Sequence, residues 1–383
     1  MHRVVPVFDI SMKHRIIAIN LPQFHPFKEN EEWWGKGFTE WTNVTKARPR
    51  FKGHYQPHLP SDTGFYDLRL PEARQMQADM AREVGIYGFC YYHYWFNGHQ
   101  LMERPVNEIL SSGKPDYPFM LCWANENWCR NWDGGFTDVL MEQHYSEVDD
   151  IEHMRWLCKN VFCDSRYIRV DNKPVFAIYR ISLFPDIRHT VEVWRKVARE
   201  EFGMELYLVS ADVPFDDYET DTSVYGFDAS FDFQPIGAWR YINHKFSWFK
   251  RLVSWLPIVK KCDFIVKYVN SIPERFSYPA YVESQINKPD MAFKRFPGVS
   301  PGFDNSSRRK GHFFTCFVDC TPQCYGHWLQ SVLAKFQPYS DDENFVFINA
   351  WNEWAEGNHL EPDQRWGRAY LDETKKVIGQ QSE

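Results

Sequence analysis

The sequence predicts a single-domain α/β protein, a (β/α)8 TIM barrel with long βα-loops, and three observations support that fold class. Short runs rich in β-branched and aromatic residues alternate with longer amphipathic stretches, as in repeated βα units around a parallel sheet. Polar side chains follow the carboxyl end of one predicted strand after another, where a barrel builds its site. No glycine-rich phosphate-binding motif follows a strand, which disfavours a doubly wound nucleotide-binding sheet.

Eight apolar runs are predicted to form the strands of the barrel. They cover residues 15–21, 85–94, 118–124, 174–179, 205–211, 228–233, 291–299 and 345–350. Helices are predicted at 71–84, 150–162, 190–202, 247–270, 321–336 and 368–379, with a shorter helix at 105–110. Because no repeat or linker interrupts this pattern, residues 15–383 are assigned to one domain and residues 1–14 to a short N-terminal extension.

Composition and charge disfavour several kinds of partner. The 383 residues carry a formal net charge of −7, whereas a dedicated nucleic-acid binder would present a basic face. No run of 18 apolar residues is present, so no integral membrane segment is expected. No signal peptide is evident, so the expected compartment is the cytoplasm. Residues 246–268 could form a membrane-surface helix or a barrel helix with its apolar face inward, and we favour the barrel helix.

The nine cysteines predict neither a disulfide framework nor a metal site. Nine is an odd number, and Cys90 and Cys122 lie inside predicted strands, which is typical of reduced thiols in a core. Cys316, Cys320 and Cys324 recur at every fourth residue, but this spacing is unlike that of common zinc sites and Pro322 interrupts it. We therefore expect no cofactor, and activity that survives a chelator.

Residues 345–357 are the most informative stretch, because a predicted buried strand runs into two carboxylates among tryptophans. Cleavage of a glycosidic bond requires one carboxyl group to protonate the leaving oxygen and a second to act as base or nucleophile. Glu353 and Glu356 are the candidates for this pair, and flat indole faces suit the apolar side of a sugar ring. A structural alternative stays open, since acidic residues are also favoured in the first turn of a helix.

Further candidate ligands follow other predicted strands or lie in the long first connection. His25 and His93 follow two predicted strands, and either could bind a hydroxyl group or be a structural histidine. Glu126 is a third candidate carboxylate, although the asparagines beside it could have a structural role. Residues 22–70 form a connection longer than loops usually are, which favours a functional role. No serine-hydrolase or zinc-protease motif is present.

Six motifs, at residues 21–26, 33–41, 53–60, 88–96, 122–128 and 349–357, together resemble the WbsX-like family, which is related to glycoside hydrolase family 99. The resemblance covers about residues 15–375. It implies a (β/α)8 barrel and the metal-free, retaining chemistry of endo-α-mannosidases. By that resemblance, Glu353 would deprotonate the 2-hydroxyl of the sugar to give a 1,2-anhydro intermediate, and Glu356 would be the general acid/base. Ala355 replaces the histidine that this hydrolase family has between them.

The resemblance predicts a glycoside-hydrolase-like enzyme, a retaining hydrolase that cleaves α-linked glycans of the surface-polysaccharide or O-antigen type. Family members often lie among O-antigen genes and have been labelled glycosyltransferases, so a transferase is the first alternative. A glycan-binding protein without activity is the second. Sugar identity, linkage, endo or exo action and oligomeric state stay open. The residues expected to bind the glycan are His25, Trp34, Glu40, Trp41, His54, His58, Tyr92, His93, Trp95, Asn125, Glu126, Trp128, Asn352 and Trp354.

Overall fold

The computed structural model describes residues 13–130, 138–213, 220–235, 274–309 and 314–380, and its centre is a nearly closed parallel barrel. In hydrogen-bonded order the strands run β7-β6-β5-β4-β3-β2-β1-β9-β8, and each neighbouring pair is parallel. The strands are β1 Arg15–Asn20, β2 Gly88–Phe96, β3 Phe119–Trp123, β4 Lys173–Ile178, β5 Tyr207–Asp212, β6 Ala229–Asp232, β7 Arg295–Phe296, β8 Gly298–Val299 and β9 Phe345–Ile348.

Strands β7 and β8 are two parts of one barrel strand, which Pro297 interrupts. The first half pairs with β6 through Ser230 and Arg295, and the second pairs with β9 through Gly298 and Phe347. Proline has no N–H to donate, but the carbonyl of Pro297 still accepts a hydrogen bond from the Phe347 N–H at 2.9 Å. The nine segments therefore correspond to the eight predicted strands, and the predicted (β/α)8 barrel is confirmed.

Nine α-helices lie within the described residues. They are α1 Lys28–Trp34, α2 Glu40–Lys46, α3 Pro71–Glu83, α4 Arg104–Ser112, α5 Glu147–Asn160, α6 Ile187–Phe202, α7 Tyr278–Ile286, α8 Pro322–Lys335 and α9 Ala369–Gly379. Helices α3, α4, α5, α6, α8 and α9 match predicted helices, whereas the prediction at 247–270 lies outside the described residues. Helices α1 and α2 were missed because seven residues give fewer than two full turns in which an apolar period could show.

Short elements decorate the loops. The strand pieces are His99–Leu101, Trp128–Cys129, Val139–Met141, Arg169–Val170, Glu274–Ser277, Thr315–Val318, Asn352–Glu353 and Asn358–His359. Single turns of 3₁₀-helix cover Ile181–Leu183, Thr222–Tyr225, Asn305–Arg308 and Trp354–Glu356. Two of these turns, Asn305–Arg308 and Trp354–Glu356, follow the strands that close the barrel and lie at its C-terminal face.

The core lies inside the barrel and between the strands and the helices. Strands β1 and β9 are buried along their whole length, as expected for parallel strands covered on both faces. Phe231 and Phe347 stack with ring centroids 4.2 Å apart, and Trp194 and Trp328 are buried under the helix layer. Among the helices of the described segments, none is long and apolar enough to cross a membrane.

Candidate active site

Three glutamates converge on one arginine at the C-terminal face of the barrel. Nη2 of Arg308 donates to a carboxylate oxygen of Glu40 at 2.6 Å and to one of Glu353 at 2.8 Å, and Nη1 donates to Glu356 at 2.6 Å. Nε of Arg308 adds a second bond to Glu40 at 2.9 Å. The structure therefore brings together both predicted catalytic carboxylates and one predicted sugar ligand, Glu40, in one acidic centre.

A tight hairpin positions the two predicted catalytic carboxylates. Strand Asn352–Glu353 pairs antiparallel with Asn358–His359, and the turn Trp354–Glu356 connects them. Gly357 closes this turn with a φ of 55°, a left-handed conformation that glycine adopts without strain. Glu353 is the N-cap of this single 3₁₀ turn and Glu356 lies within it, so the helix start left open by the sequence is a turn of three residues and not an α-helix.

Arg308 was not predicted from the sequence, and its position depends on the segment that follows β8. Asp304 caps the turn Asn305–Arg308 by accepting from the Ser306 N–H at 3.0 Å. The Asp304 N–H in turn donates to the Glu356 carbonyl at 2.5 Å, and the Ser307 hydroxyl donates to the Ala355 carbonyl. The backbone of the carboxylate hairpin and the turn that carries Arg308 are thus tied together.

The three carboxylates differ in how much of each side chain is exposed. The side chain of Glu40 is 0% exposed, that of Glu353 is 7% and that of Glu356 is 26%. One oxygen of Glu40 is buried and lacks a hydrogen-bond partner among the described residues. Of the three, Glu356 therefore presents the most surface to an incoming ligand, while Glu353 and Glu40 lie deeper.

The electrostatics of this centre favour retention of a proton. Burial, assisted by the charges of Glu356 and Glu40, raises the pKa of Glu353 to about 8 despite the opposing effect of Arg308. Burial also raises the pKa of Glu40. For Arg308, burial alone would lower the pKa, but the three carboxylates outweigh it and the net shift is upward. One cation thus faces three acids, and the group holds at least one proton at neutral pH.

Tyrosine side chains from the strand ends surround the carboxylates. After burial, the charge of Glu353 is the largest cause that raises the pKa of Tyr92, and the same order holds for Tyr94. The pKa of Tyr179 is raised mainly by burial and then by the charges of Glu126 and Glu356. Of these three tyrosines, only Tyr92 was predicted to bind the sugar, although all three lie at the ends of predicted strands.

The alternation of side chains along β2 separates the predicted ligands of that strand. Tyr92 and Tyr94 face the carboxylates, whereas His93 and Trp95 point to the helix layer. Nε2 of His93 lies 2.9 Å from Nε2 of His153, and the Trp95 Nε1–H donates to Asp149 at 2.9 Å. Because successive side chains on a strand point to opposite faces, His93 and Trp95 lie away from the acidic centre and do not fit the predicted role in sugar binding.

Half-buried tryptophans form a wall beside Tyr94. The Trp128 ring packs edge-on against Tyr94 with centroids 5.2 Å apart, and Trp33 stacks on Trp128 at 6.0 Å. The Arg130 guanidinium lies 5.0 Å from the centre of the Trp34 ring. The consecutive tryptophans of the first connection thus end α1 and pack beside this wall, which places the predicted ligands Trp34 and Trp128 in one region.

Two predicted ligand asparagines form hydrogen bonds that hold loops together. The Asn125 side chain donates to the Arg180 carbonyl at 2.7 Å and accepts from the Arg180 N–H at 2.8 Å. Asn352 makes the same two-way contact with the backbone of Leu21, at 3.0 and 2.7 Å. Both asparagines are fully buried, so their geometry indicates a structural role. Glu126, whose side chain is 42% exposed, pairs with Arg180 and is the more accessible of these predicted ligands.

Two predicted ligand tryptophans and His25 are also buried. The Trp41 Nε1–H donates to the Tyr66 carbonyl at 2.8 Å, and the Trp354 Nε1–H donates to Glu361 at 2.6 Å. His25 lies 2.9 Å from the Pro22 carbonyl, and its burial lowers its pKa to about 4. These three side chains support the loops around the site. Only 2% of the His25 surface is exposed, so little of it is accessible to a ligand.

Glu361 is a buried carboxylate that sequence reasoning did not identify. It accepts from the Tyr66 hydroxyl at 2.8 Å, from Gln77 at 2.8 Å, and from the indoles of Trp351 and Trp354 at 3.0 and 2.6 Å. Burial raises its pKa to about 7 even though these four donors oppose the shift. Glu361 therefore holds the start of the hairpin in place through its hydrogen bonds with Trp351 and Trp354.

The two histidines of the 53–60 motif bind neighbouring loops. The Arg50 N–H donates to Nδ1 of His54, so Nε2 of His54 carries the proton and donates to Asp304 at 2.7 Å. His58 instead lies beside His359, with Nδ1 and Nε2 3.1 Å apart. His54 supports the segment that carries Arg308, and His58 contacts the far side of the carboxylate hairpin.

Cys316, Cys320 and Cys324 do not together form a group of metal-ligand geometry among the described residues. The eight cysteines in the described ranges are free thiols. Burial raises the pKa of Cys316, Cys320 and Cys324, that of Cys324 to about 11. Thiols with raised pKa values are poor ligands because a metal binds the thiolate.

Fold and site together define the class of protein: a (β/α)8 barrel with an acidic, aromatic-lined centre at the face where barrel enzymes carry their active sites. A family model described as Glycosyltransferase WbsX matches residues 16–374. The chain therefore belongs to this family, and the predicted resemblance is confirmed.

Two relatives come from Xanthomonas campestris pv. campestris and are described as uncharacterized protein WxcX. One is 37% identical over 372 residues and the other 38% identical over 364 residues, and each alignment covers 95% of this chain and 49% of the relative. The chain thus spans about half the length of these curated relatives.

Solved structures share the fold at low sequence identity. The GH99 endo-alpha-mannosidase from Bacteroides thetaiotaomicron matches with a TM-score of 0.56 and 12% identity, over 96% of this chain and 97% of that one. A protein described as glycoside hydrolase-like matches with a TM-score of 0.56 and 15% identity, over 99% and 97% of the two chains. At these identities the likeness concerns the barrel alone.

Proposed function

We propose that this chain is a retaining glycoside hydrolase that cleaves α-linked glycans with Glu353 and Glu356. The observation that carries this proposal is the acidic centre, in which neighbouring nitrogens of Arg308 bind both carboxylates. Two carboxyl groups held close together are the arrangement of retaining enzymes, since inverting enzymes leave room for a water molecule between carboxylate and sugar. Arg308 fixes the distance between the pair.

We assign the roles of acid and base from the exposed fraction of each glutamate side chain. Glu356 presents 26% of its side chain and Glu353 presents 7%, so Glu356 is better placed to meet an oxygen that leaves with one half of the glycan. In the first step Glu356 donates its proton to that oxygen as the glycosidic bond breaks. In the second step the Glu356 carboxylate takes a proton from water, which adds to the anomeric carbon.

Glu353 acts on the sugar from the deeper position. In the route that the family resemblance implies, its carboxylate removes the proton of the 2-hydroxyl, whose oxygen then bonds to the anomeric carbon to form a 1,2-anhydro sugar. Addition of water opens that ring and returns the proton to the 2-oxygen. The alternative route is direct attack of the Glu353 carboxylate on the anomeric carbon, which also gives retention after two displacements.

The centre holds the one proton that the reaction needs, although without substrate the raised pKa of Glu353 keeps that proton on Glu353. An acid and base pair needs one proton for two carboxyl groups, and the three acids around Arg308 hold at least one at neutral pH because the pKa of Glu353 is raised to about 8. Productive substrate binding requires that proton on Glu356. Glycan hydroxyls near Glu353 would favour this distribution, because hydrogen bonds to a carboxylate stabilise its charged form.

Tyr92, Tyr94 and Trp128 are proposed to contact the sugar rings. Tyr92 and Tyr94 stand next to Glu353, and the Trp128 ring continues the surface 5.2 Å from Tyr94. Aromatic rings bury apolar area and keep a polar edge for hydrogen bonding. Glu126 lies at the exposed end of this region and is proposed to accept hydrogen bonds from sugar hydroxyls.

The proposed substrate class is an α-linked surface polysaccharide of the O-antigen type. The family membership and the barrel of the endo-alpha-mannosidase structure support an α-linked glycan. Mannose is not assigned, because Ala355 lies between the two carboxylates where the resembling hydrolases carry a histidine.

A second candidate function is glycosyl transfer, which the family description favours. A transferase would join a sugar from an activated donor to an acceptor at the same acidic centre. The third possibility is a glycan-binding protein, in which the carboxylates would serve as ligands only.

Incubation with α-linked bacterial surface polysaccharides, with and without nucleotide sugars, distinguishes the three functions. For a hydrolase we expect new reducing ends and shorter oligosaccharides by mass spectrometry without any nucleotide sugar, and none with Glu356→Gln. Products that lengthen only when a nucleotide sugar is added would identify a transferase. Binding without product in any mixture would identify a glycan-binding protein.

A further inference from the structure

A second cluster of ligand-type side chains lies behind the carboxylate hairpin. Nδ1 of His58 is 3.1 Å from Nε2 of His359, and Nε2 of His359 is 3.9 Å from Oδ2 of Asp363. These three atoms all lie within 4.8 Å of one another. His58 comes from the loop after β1, whereas His359 and Asp363 follow β9, so the cluster joins the first and last connections of the barrel.

The neighbours of the cluster leave the right atoms available to a cation. The His359 Nδ1–H donates to the Glu361 carbonyl at 3.0 Å, so Nε2 is unprotonated and accepts from the Nδ1–H of His58, a proton that a bound cation would displace. One oxygen of Asp363 accepts from the Arg365 and Trp366 N–H groups, at 2.9 and 2.6 Å, so the other oxygen faces His359. A backbone carbonyl that orients a histidine from its far nitrogen is the usual outer contact of metal-bound histidines.

The cluster opens onto a cavity of about 350 Å³ that Tyr55 and Arg365 also line. A zinc ion held by three protein ligands keeps a fourth position for water, and this cavity supplies the room for it. The cavity is bounded by the loops that follow the closing strands of the barrel, and Gly357 separates it from the acidic centre.

A second group of ligand-type residues, His54, Asp304 and Cys316, is less suited to a metal. Both ring nitrogens of His54 are occupied, because Nδ1 accepts from the Arg50 N–H and Nε2 donates to Asp304. Burial raises the pKa of the Cys316 thiol, which opposes thiolate formation.

We infer that His58, His359 and Asp363 form a binding site for a divalent transition ion, of which Zn²⁺ fits the two-nitrogen, one-oxygen ligand set best. Nitrogens bind Zn²⁺ at about 2.0 to 2.1 Å, so tetrahedral ligand atoms lie about 3.3 Å apart. The separation of 3.1 Å is already close to this spacing, and the separation of 3.9 Å would have to shorten by about 0.6 Å. The ion would cross-link the 53–60 loop to the segment that follows the hairpin.

Such an ion would be structural with respect to the proposed reaction. None of the three ligands contacts the carboxylates of Glu353 or Glu356 in the hydrogen bonds and ion pairs of the described residues. Binding to the folded chain alone raises its stability by mass action. The expectation from the sequence of activity without a metal is therefore compatible with a bound ion, whereas the expectation of no metal site is not.

Zinc binding can be measured without any assay of activity. The full chain is stripped with a chelator and exchanged into chelator-free buffer, then titrated with ZnCl2 in a calorimeter and with CoCl2 by visible absorption. We expect one equivalent of Zn²⁺, cobalt bands of a low-coordinate site and an increase in the unfolding temperature. Asp363→Asn keeps the oxygen that caps the Arg365 and Trp366 N–H groups and removes the ligand oxygen, so it should weaken Zn²⁺ binding at least about tenfold. His58→Gln should do the same.

Cys316→Ser is the matched control, because it alters the other group and should bind Zn²⁺ as the parent chain does. Circular dichroism before metal addition confirms that each variant is folded. Absence of stoichiometric binding would overturn the proposal. Equal binding by the parent chain, Asp363→Asn and His58→Gln, or loss of binding in Cys316→Ser alone, would overturn it as well.

Discussion

Glu353 and Glu356 lie in one turn yet have different surroundings, and this difference underlies their proposed roles. Glu353 is almost fully buried under tyrosines, with its pKa raised to about 8, whereas Glu356 reaches further toward solvent. Arg308 binds both and also holds Glu40, which is completely buried. Burial keeps a proton in the centre, and the proposed mechanism needs that proton on Glu356 when the glycan is bound.

Replacement of either carboxylate should abolish most turnover. General acid-base assistance is worth about 10²- to 10⁴-fold, so Glu356→Gln and Glu353→Gln should each lose at least about 100-fold in kcat while still binding glycan. Steady-state kinetics and calorimetric binding measure the two effects separately. Glu205→Gln, which precedes β5 at the opposite, N-terminal face of the barrel and pairs with Arg199 at the surface, is the control. Turnover within a few-fold of the parent chain in either glutamine variant would remove that residue from the mechanism.

The pH profile should report the raised pKa of Glu353. The proposed reaction needs one proton in the centre, so kcat/KM should fall as the pH rises and that proton is lost, through an apparent pKa near 8. The Glu40 charge contributes to that raised value, and Glu40→Gln should therefore move the falling limb to lower pH. An identical limb in the parent chain and in Glu40→Gln, or a limb centred below pH 6, would contradict this assignment.

Arg308 should be essential for stability as well as for the site. Its loss would leave the buried carboxylates of Glu40 and Glu353 without this counter-charge, and removal of one partner from a buried ion pair costs about 3 to 5 kcal/mol. Arg308→Met should thus lower the free energy of unfolding by about that amount in urea titrations. Arg155→Met, which breaks a pair with Glu201 at the surface, should change stability little. Equal effects of the two substitutions would refute the central role of Arg308.

At the scale of elements, the hairpin from Asn352 to His359 and the turn Asn305–Arg308 act as one unit. Hydrogen bonds from the Asp304 N–H and the Ser307 hydroxyl to the hairpin carbonyls hold Arg308 against Glu356. Glu361 supports the same hairpin from below with its two indole partners. The geometry of the acidic centre therefore depends on close backbone packing between two connections.

Gly357→Ala tests this packing. Gly357 has a φ of 55°, and a Cβ atom there would lie 3.0 Å from the Cβ of Asp304. Gly64 has a φ of 59° but nothing within 4 Å of the added atom. Each alanine should cost about 1 to 3 kcal/mol of backbone strain, and only Gly357→Ala should also lower kcat, by at least about tenfold. Equal kcat values for the two variants would show that the contact with Asp304 does not position the site.

Alternation along a strand explains which site residues could be read from the sequence. The polar and aromatic run at the end of β2 was recognised, but its two faces were not separated, so His93 and Trp95 were grouped with Tyr92. Because side chains alternate along a strand, this period of two would have separated Tyr92 from His93 and Trp95 and would have added Tyr94 to the predicted ligands. Arg308 left no such signal, because its role depends on a turn and on three distant glutamates.

At the scale of the whole molecule, periodicity was sufficient for the barrel. Eight apolar runs separated by amphipathic stretches correspond to the eight strand crossings, since a parallel barrel needs buried strands at regular intervals. Helices α1 and α2 are too short to show a period, and their packing around the first connection depends on tertiary contacts. Glu40 could be predicted as a ligand from its motif, but its place beside Glu353 required the closed barrel.

The central claim is that the carboxylate pair cleaves an α-linked glycan with retention. The anomeric configuration of the first product tests it most directly, because two successive displacements release the same anomer that was cleaved, whether the intermediate is an anhydro sugar or a glycosyl-enzyme. Proton NMR during the first minutes of hydrolysis, before mutarotation, should show the α-hemiacetal. Initial appearance of the β-anomer would contradict the claim and would make Glu353 a base that activates water.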